Sequence, residues 1–233
     1  MKTIKKIINS AVCMTAALSM AVAATSCDDL LDTKPQGSFS SEQIGNDEAL
    51  ELMNSAYATL LCHYFGNNES FAGPINNWVF DVRSDDALKG GGDIGQEQDI
   101  HQLEMGRVQG DFQTVRFKWR NNYYSISRCN TAIRGLQAAS SLSAETKRAY
   151  IAEMKTLRAY YYFDMLRIYS KFPYFDENAD PNTCRPDQYT RDEIAGFIKQ
   201  DLRDSYKALP ETQPEPGRFN RFVAAAILAR VDR

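Results

Sequence analysis

The strongest pattern in the chain runs from Ala149 to Phe175, where large apolar residues fall at Tyr150, Met154, Leu157, Tyr161, Met165 and Ile168. Steps of three and four put them on one stripe of a helix. Ser143 ahead of Ala144-Glu145 is an N-cap, and Pro173 cannot continue the helix. Tyr160, Tyr162, Phe163, Tyr169, Phe172, Tyr174 and Phe175 are too many for that stripe, so this central helix must pack on more than one side.

The same periodicity recurs on both sides. Asn46-Asp47-Glu48 opens a helix with Leu50, Met53, Tyr57, Leu60 and Tyr64 on one face, ending near Gly66-Asn67-Asn68. A helix over about 112–139 carries Trp119, Tyr123, Ile126, Asn130 and Ile133, and a short turn at Ser140-Ser141 makes it a hairpin with the central helix. Asn130 on that apolar face needs a bond to a neighbouring helix or loop, since a buried amide is costly alone. The helical spacing of Trp119 marks it as a core residue. Thr190 to Glu193 reads as a capping box ahead of Ile194, Phe197, Ile198, Leu202, Tyr206 and Leu209. Asn220 caps a last apolar run, Phe222 to Val231.

Between the first two helices, residues 66–111 lose the period and gather Gly, Asn and Asp around one apolar patch, Trp78-Val79-Phe80. So long an irregular connection is a mark of a functional loop or of disorder, and the loop reading is adopted here as the ligand side. Gly90, Gly92 and Gly95 spell GxGxxG, but neither a strand before nor a helix after it supports a dinucleotide site, and no Lys-Ser or Lys-Thr makes it a phosphate loop. It reads as a glycine turn.

Composition changes this picture at the N-terminus. Lys2, Lys5 and Lys6 precede a mostly apolar run, Ile7 to Ala24, too interrupted for a membrane span: an export signal over residues 1–26. Ala24-Thr25-Ser26-Cys27 resembles a lipoprotein cleavage box, with Ala24 where Leu is commonest; ordinary cleavage near Ala23 or Ala24 is the alternative. Acylation of Cys27 would anchor an acidic tether, residues 27–45, to a bilayer. Without the three leader lysines, 24 basic residues face 30 acidic ones, a balance without a basic cluster that argues against nucleic acid as a partner. Cys62, Cys129 and Cys184 remain, an odd number with no zinc spacing, so at least one is a buried thiol.

Candidate chemistry is sparse. The chain has 2 histidines, His63 and His101, and no serine elbow or HExxH. Two loop carboxylates flanking a sugar could hydrolyse it, but acidic residues in a polar loop more often bind hydroxyls or water. Calcium is conceivable, though the EF-hand order is missing. A sugar needs a flat apolar face and short polar groups. Trp78 with Asn76, Asn77, Asp81, Arg83, Asp85, Asp86 and Lys89 offers both; the alternative for Trp78 is a core residue under the loop.

Glu153, Leu157-Arg158-Ala159, Tyr162-Phe163 and Tyr169-x-x-x-Pro173 resemble the central signature of the SusD/RagB family of glycan-binding lipoproteins. W-x3-Y-x2-I-x3-N-x2-I from Trp119 to Ile133 is a second match. Asp201-Leu202 with Leu209-Pro210 is a third, with Ser205 in place of an alanine. Gly217-Arg218 and the Phe222 to Val231 run are a fourth, with Asn220-Arg221 at the family's Thr-Lys and Val223 at its first alanine. Ser84-Asp85-Asp86 is similar to the family's S-D-E segment near the glycan site.

The resemblance covers only the first half of family members, so the chain reads as a fragment, with residues 46–233 the N-terminal part of the helical domain. It implies an all-α, tetratricopeptide-like α-solenoid, SusD-like and truncated, with a long irregular loop after the first helix. The implied function is non-catalytic and cofactor-free: a protein lipid-anchored at the cell surface of the outer membrane binds an oligosaccharide or polysaccharide and delivers it to a SusC-like TonB-dependent transporter. A helical-repeat scaffold that binds proteins and no glycan is the alternative.

Overall fold

In a computed structural model of the protein, residues 44–61, 77–179 and 187–233 are described. The leader, Cys27, Cys62, Tyr64, Asn76 and Cys184 lie outside them.

The first helix, α1, is Asn46–Leu61. Its buried positions are Ala49, Met53, Ala56 and Thr59, so the inward face is turned away from Leu50, which is half-buried. α1 packs on the 113–138 helix, and at Gly135 an added Cβ would meet Leu52 Cδ1 at 2.7 Å, so a larger residue there would force the two helices apart.

The region after it is less irregular than its composition suggests. Asn77–Asp81 forms a π-helical turn and Gln98–Glu104 a short helix, α2. The glycine turn is as expected: Gly90 and Gly91 take φ of 72° and 93°, where only glycine is unstrained. Lys89 Nζ closes this turn on the carbonyls of Asp93, at 3.1 Å, and Gln96.

Two long helices, α3 (Gln113–Ala138) and α4 (Ala144–Leu166), form the expected hairpin. Their direction is read from cross-pairs: Asn130 meets Arg158, while the earlier Asn122 meets the later Asp164. Ser143 caps α4 by accepting the Thr146 N–H at 3.1 Å. From Ala152 to Leu166 only Lys155 and Tyr160 are not buried, because α4 packs on α1, α3 and α5 (Arg191–Ala208). That is why one apolar stripe was too narrow. Burying a large side chain of this kind stabilises by about 1.5–3 kcal/mol.

Pro173 does not end α4, contrary to the sequence reading. The helix stops at Leu166, where the N–H groups of Ile168 and Tyr169 both turn back to the Met165 carbonyl. Lys171–Pro173 (β1) then pairs antiparallel with Gln188–Thr190 (β2), Phe172 opposite Tyr189. Proline, lacking an N–H, is tolerated at the end of this two-stranded ribbon. The ribbon adds strands to a fold otherwise helical among the described residues.

The capping box at Thr190 is present, with both reciprocal bonds to Glu193. Ile194, Ile198, Leu202 and Leu209 are buried on α5, but Tyr206 is 44% exposed, its expected place taken by Asp201 and Ser205. Asn220 caps the final helix, α6 (Arg221–Val231), accepting from Phe222 and Val223. Each of α3 to α6 packs on the next in order, the nearest-neighbour stacking of a solenoid. Cys129 is a buried free thiol, and burial pushes its pKa up. None of the described helices is long and apolar enough to cross a membrane.

Candidate functional site

The proposed ligand residues fall on the π-helical turn and the segment after it. Trp78 lies in the turn, with its side chain outside the described part. Asp81, Arg83, Asp85 and Asp86 are all exposed, while Lys89 is half-buried and bonds the carbonyls of the glycine turn. Ser84 folds the segment by donating its N–H and hydroxyl to the Asp81 carbonyl at 3.1 and 2.7 Å. Its hydroxyl also accepts the Asp86 N–H at 3.2 Å. The exposed carboxylates therefore ride on a bent, locally bonded backbone. Among the described residues no three His, Cys, Asp or Glu converge as a metal site.

The base of this segment is fixed to the helices. Val79 and Val82 are buried, and Phe80 is stacked by the Arg167 guanidinium at 4.2 Å and approached by Lys118 Nζ at 5.7 Å. Both cations meet one carboxylate: Asp164 accepts from Lys118 at 2.8 Å and from Arg167 at 2.6 Å, and Asn122 adds a bond at 3.1 Å. Burial pulls the Lys118 ammonium below its ordinary pKa, against the pull of Asp164. Ionised groups so deep persist only when paired.

Two further ion clusters hold the helices together. Arg158, 1% exposed, grips Asp201 with two bonds of 2.9 Å and reaches Asn130 at 2.8 Å and Glu177 at 2.6 Å. Burial alone would lower the Arg158 pKa, but Asp201 and its neighbours hold it above the ordinary value. Asn130 also donates to the Phe175 carbonyl at 3.0 Å, the loop bond its apolar surroundings required. On the other side of α4, Glu153 binds Arg218 at 2.7 and 2.9 Å and Tyr57 at 2.6 Å, tying α1 and the 210–220 connection to the hairpin. Burial and then Glu153 push the Tyr57 hydroxyl pKa up.

Sequence reasoning passed over Lys118, Asp164 and Arg167. One signal was there: Asp164 follows Tyr161 by three, so a charged residue stood in core register. Two cavities lie along α3. One of about 530 Å³ is walled by Trp119, Tyr123 and Phe175, and one of about 770 Å³ by Val115, Phe117 and Tyr169. Trp119 is thus half-buried at a cavity wall, packed on the core but not enclosed by it.

Helices that each pack on the next and are tied by buried ion pairs make this an α-solenoid of the tetratricopeptide-like kind. The family model for SusD-like proteins, described as starch-binding and associating with the outer membrane, matches residues 67–232. The chain belongs to the SusD-like family. A SusD-like protein of Bacteroides ovatus is 27% identical over 209 residues, covering 88% of this chain and 36% of that protein. Among solved structures, surface glycan-binding protein A from Bacteroides fluxus is 28% identical with a TM-score of 0.69, covering 80% of this chain and 39% of the other. The Bacteroides thetaiotaomicron protein of that name, solved with laminarihexaose, has a TM-score of 0.68 at 22% identity, covering 80% of this chain and 38% of the other, and shares the fold. The chain spans well under half the length of these relatives.

Proposed function

We propose that this chain is the N-terminal part of a non-catalytic, cell-surface glycan-binding protein that hands its ligand to a SusC-like TonB-dependent transporter in the outer membrane. Acylation of Cys27 anchors it, and residues 27–45 let the helical part, 46–233, stand off the bilayer. Trp78 supplies the flat face for a sugar ring, and Asp81, Arg83, Asp85, Asp86 and Lys89 meet its hydroxyls. The observation that carries this reading is a polar segment left exposed on a base fixed by Val79, Phe80 and Val82, in a chain of the SusD-like family. The B. thetaiotaomicron relative solved with laminarihexaose makes β-glucan a suitable first ligand.

Native gels containing laminarin or starch test it. Retardation of the full chain that Trp78→Ala removes, with the circular dichroism spectrum unchanged, supports glycan binding by the loop. A folded sample that no glycan retards would favour a protein-binding scaffold instead, and release of reducing sugar would overturn the non-catalytic reading.

A further inference from the structure

Two cations from different helices meet on the ring of Phe80, which is half-buried in the π-helical turn Asn77–Asp81. Lys118, on α3, is fully buried, with its Nζ 5.7 Å from the ring centre. Arg167, directly after the last residue of α4, lies over the ring at 4.2 Å, and its side chain is 36% exposed. Asp164 joins the two at 2.8 and 2.6 Å, and Asn122 in turn holds Asp164 at 3.1 Å. Arg167 is also steadied by Phe163, over whose ring it lies at 5.3 Å. Phe80 is therefore held by a cluster built on both arms of the hairpin.

Stability alone does not account for such a cluster. A buried ion pair is often no more stabilising than apolar side chains of the same volume, and its best-attested use is to fix one arrangement among several. Val79 and Val82 already bury the turn, but burial of apolar surface has no direction. These two positions are three apart and share one side of the turn, so they set its depth and do little against a roll about its axis. Phe80 lies off that side. A cation is attracted to the face of a ring, so cations held over Phe80 oppose the roll. Trp78 belongs to the same turn, two residues earlier.

We propose that Phe80 is a positioning residue for saccharide binding: the Lys118–Asp164–Arg167 cluster fixes its ring, and the fixed ring aims Trp78 at the ligand. Neither Phe80 nor Arg167 touches the sugar; both act through Trp78. The proposal rests on the reading of the Trp78 to Lys89 segment as the saccharide site.

The test uses the full chain labelled with fluorotryptophan and read by fluorine NMR. The chain has 2 tryptophans, so the resonance missing from Trp78→Ala belongs to Trp78, and that of Trp119 is an internal control. Arg167→Met and Phe80→Leu should move the Trp78 resonance toward its position in the denatured chain and leave Trp119 unmoved. Both should weaken laminarin binding about threefold or more. Arg167 is partly exposed and Asp164 keeps Lys118, so Arg167→Met should melt as the parent does. Phe80→Tyr keeps the ring face and should behave as the parent in both readouts. The proposal is overturned if the Trp78 resonance stays in place in both variants, or if Trp119 moves with it, which would mean general loosening. It is also overturned if Phe80→Tyr shifts Trp78 as far as Phe80→Leu does, or if laminarin affinity is unchanged in a variant whose Trp78 resonance has moved. Failure of the saccharide reading shows separately, as a parent chain that neither laminarin nor starch retards; the fluorine shifts then still decide whether the cluster orients Trp78.

Discussion

The 81–86 segment and helix α4 carry the same kinds of charged residue in opposite environments. Asp81, Arg83, Asp85 and Asp86 face solvent, whereas Glu153, Arg158 and Asp164 on α4 are each 1% exposed. Every charge on α4 that is buried meets an opposite charge, from Arg218, Asp201 or Lys118. Desolvation leaves no other option there, and it also consumes those groups. The exposed segment bears no such cost, and its charged groups stay in solvent. Charge is thus paired where it is buried on α4 and solvated on the 81–86 segment.

The sharpest way to break the comparison is Arg158→Ala. It strands Asp201 and Glu177 and should cost about 3–5 kcal/mol, read by chemical denaturation, a large share of a typical domain's stability. The double replacement Arg158→Met/Asp201→Leu should recover much of that, because apolar groups of similar volume carry no desolvation penalty. If the single variant is as stable as the parent, the cluster is not structural.

Acid should act through Glu177 of the same cluster and through Glu193 of the capping box. Burial alone would raise the Glu177 pKa, but the Arg158 hydrogen bond and charge hold it below the ordinary carboxyl value, and the Thr190 backbone N–H does the same for Glu193. Their stabilisation is full above the unfolded value of about 4.3 and is lost as pH falls through the lower folded values. The melting temperature should therefore drop as pH falls below about 4.3, and the drop should be shallower in Arg158→Met/Asp201→Leu.

Ser205 sharpens the contrast at a smaller scale. It is 1% exposed and its hydroxyl has no bond among the described residues. Ser205→Ala should stabilise by about 1 kcal/mol, since an unpaired buried hydroxyl is removed. Smallest of all, Asp86→Ala on the exposed segment should leave stability within about 0.5 kcal/mol while weakening glycan retardation. A large loss of stability there would show that the segment is part of the core.

Much of the helical part was legible because its signals are local. The α3–α4 hairpin, the caps at Ser143, Thr190 and Asn220, the bonded Asn130 and the glycine turn all follow from spacing and residue type within a few positions. The inward face of α1 was legible in part: Met53, Tyr57 and Leu60 meet the core as their spacing predicts, whereas Ala49 and Ala56 are buried too and are too small to stand out in an apolar pattern. The end of α4 was misplaced because Phe172 and Pro173 are drawn into a strand by a segment that follows 15 residues later. The turn-closing bonds of Lys89 were not legible, because its two carbonyl acceptors come together only in the folded turn.

The sequence by itself determined the longer helices, where most of them begin, and which polar residues stand between the first two of them. Only the tertiary structure decided which charges are spent. Arg158 and Asp201 are 43 residues apart, and Glu153 and Arg218 are 65 apart. No local pattern couples positions at such separations; they meet because α4 is enclosed by its neighbours, and a charge enclosed there must find its opposite.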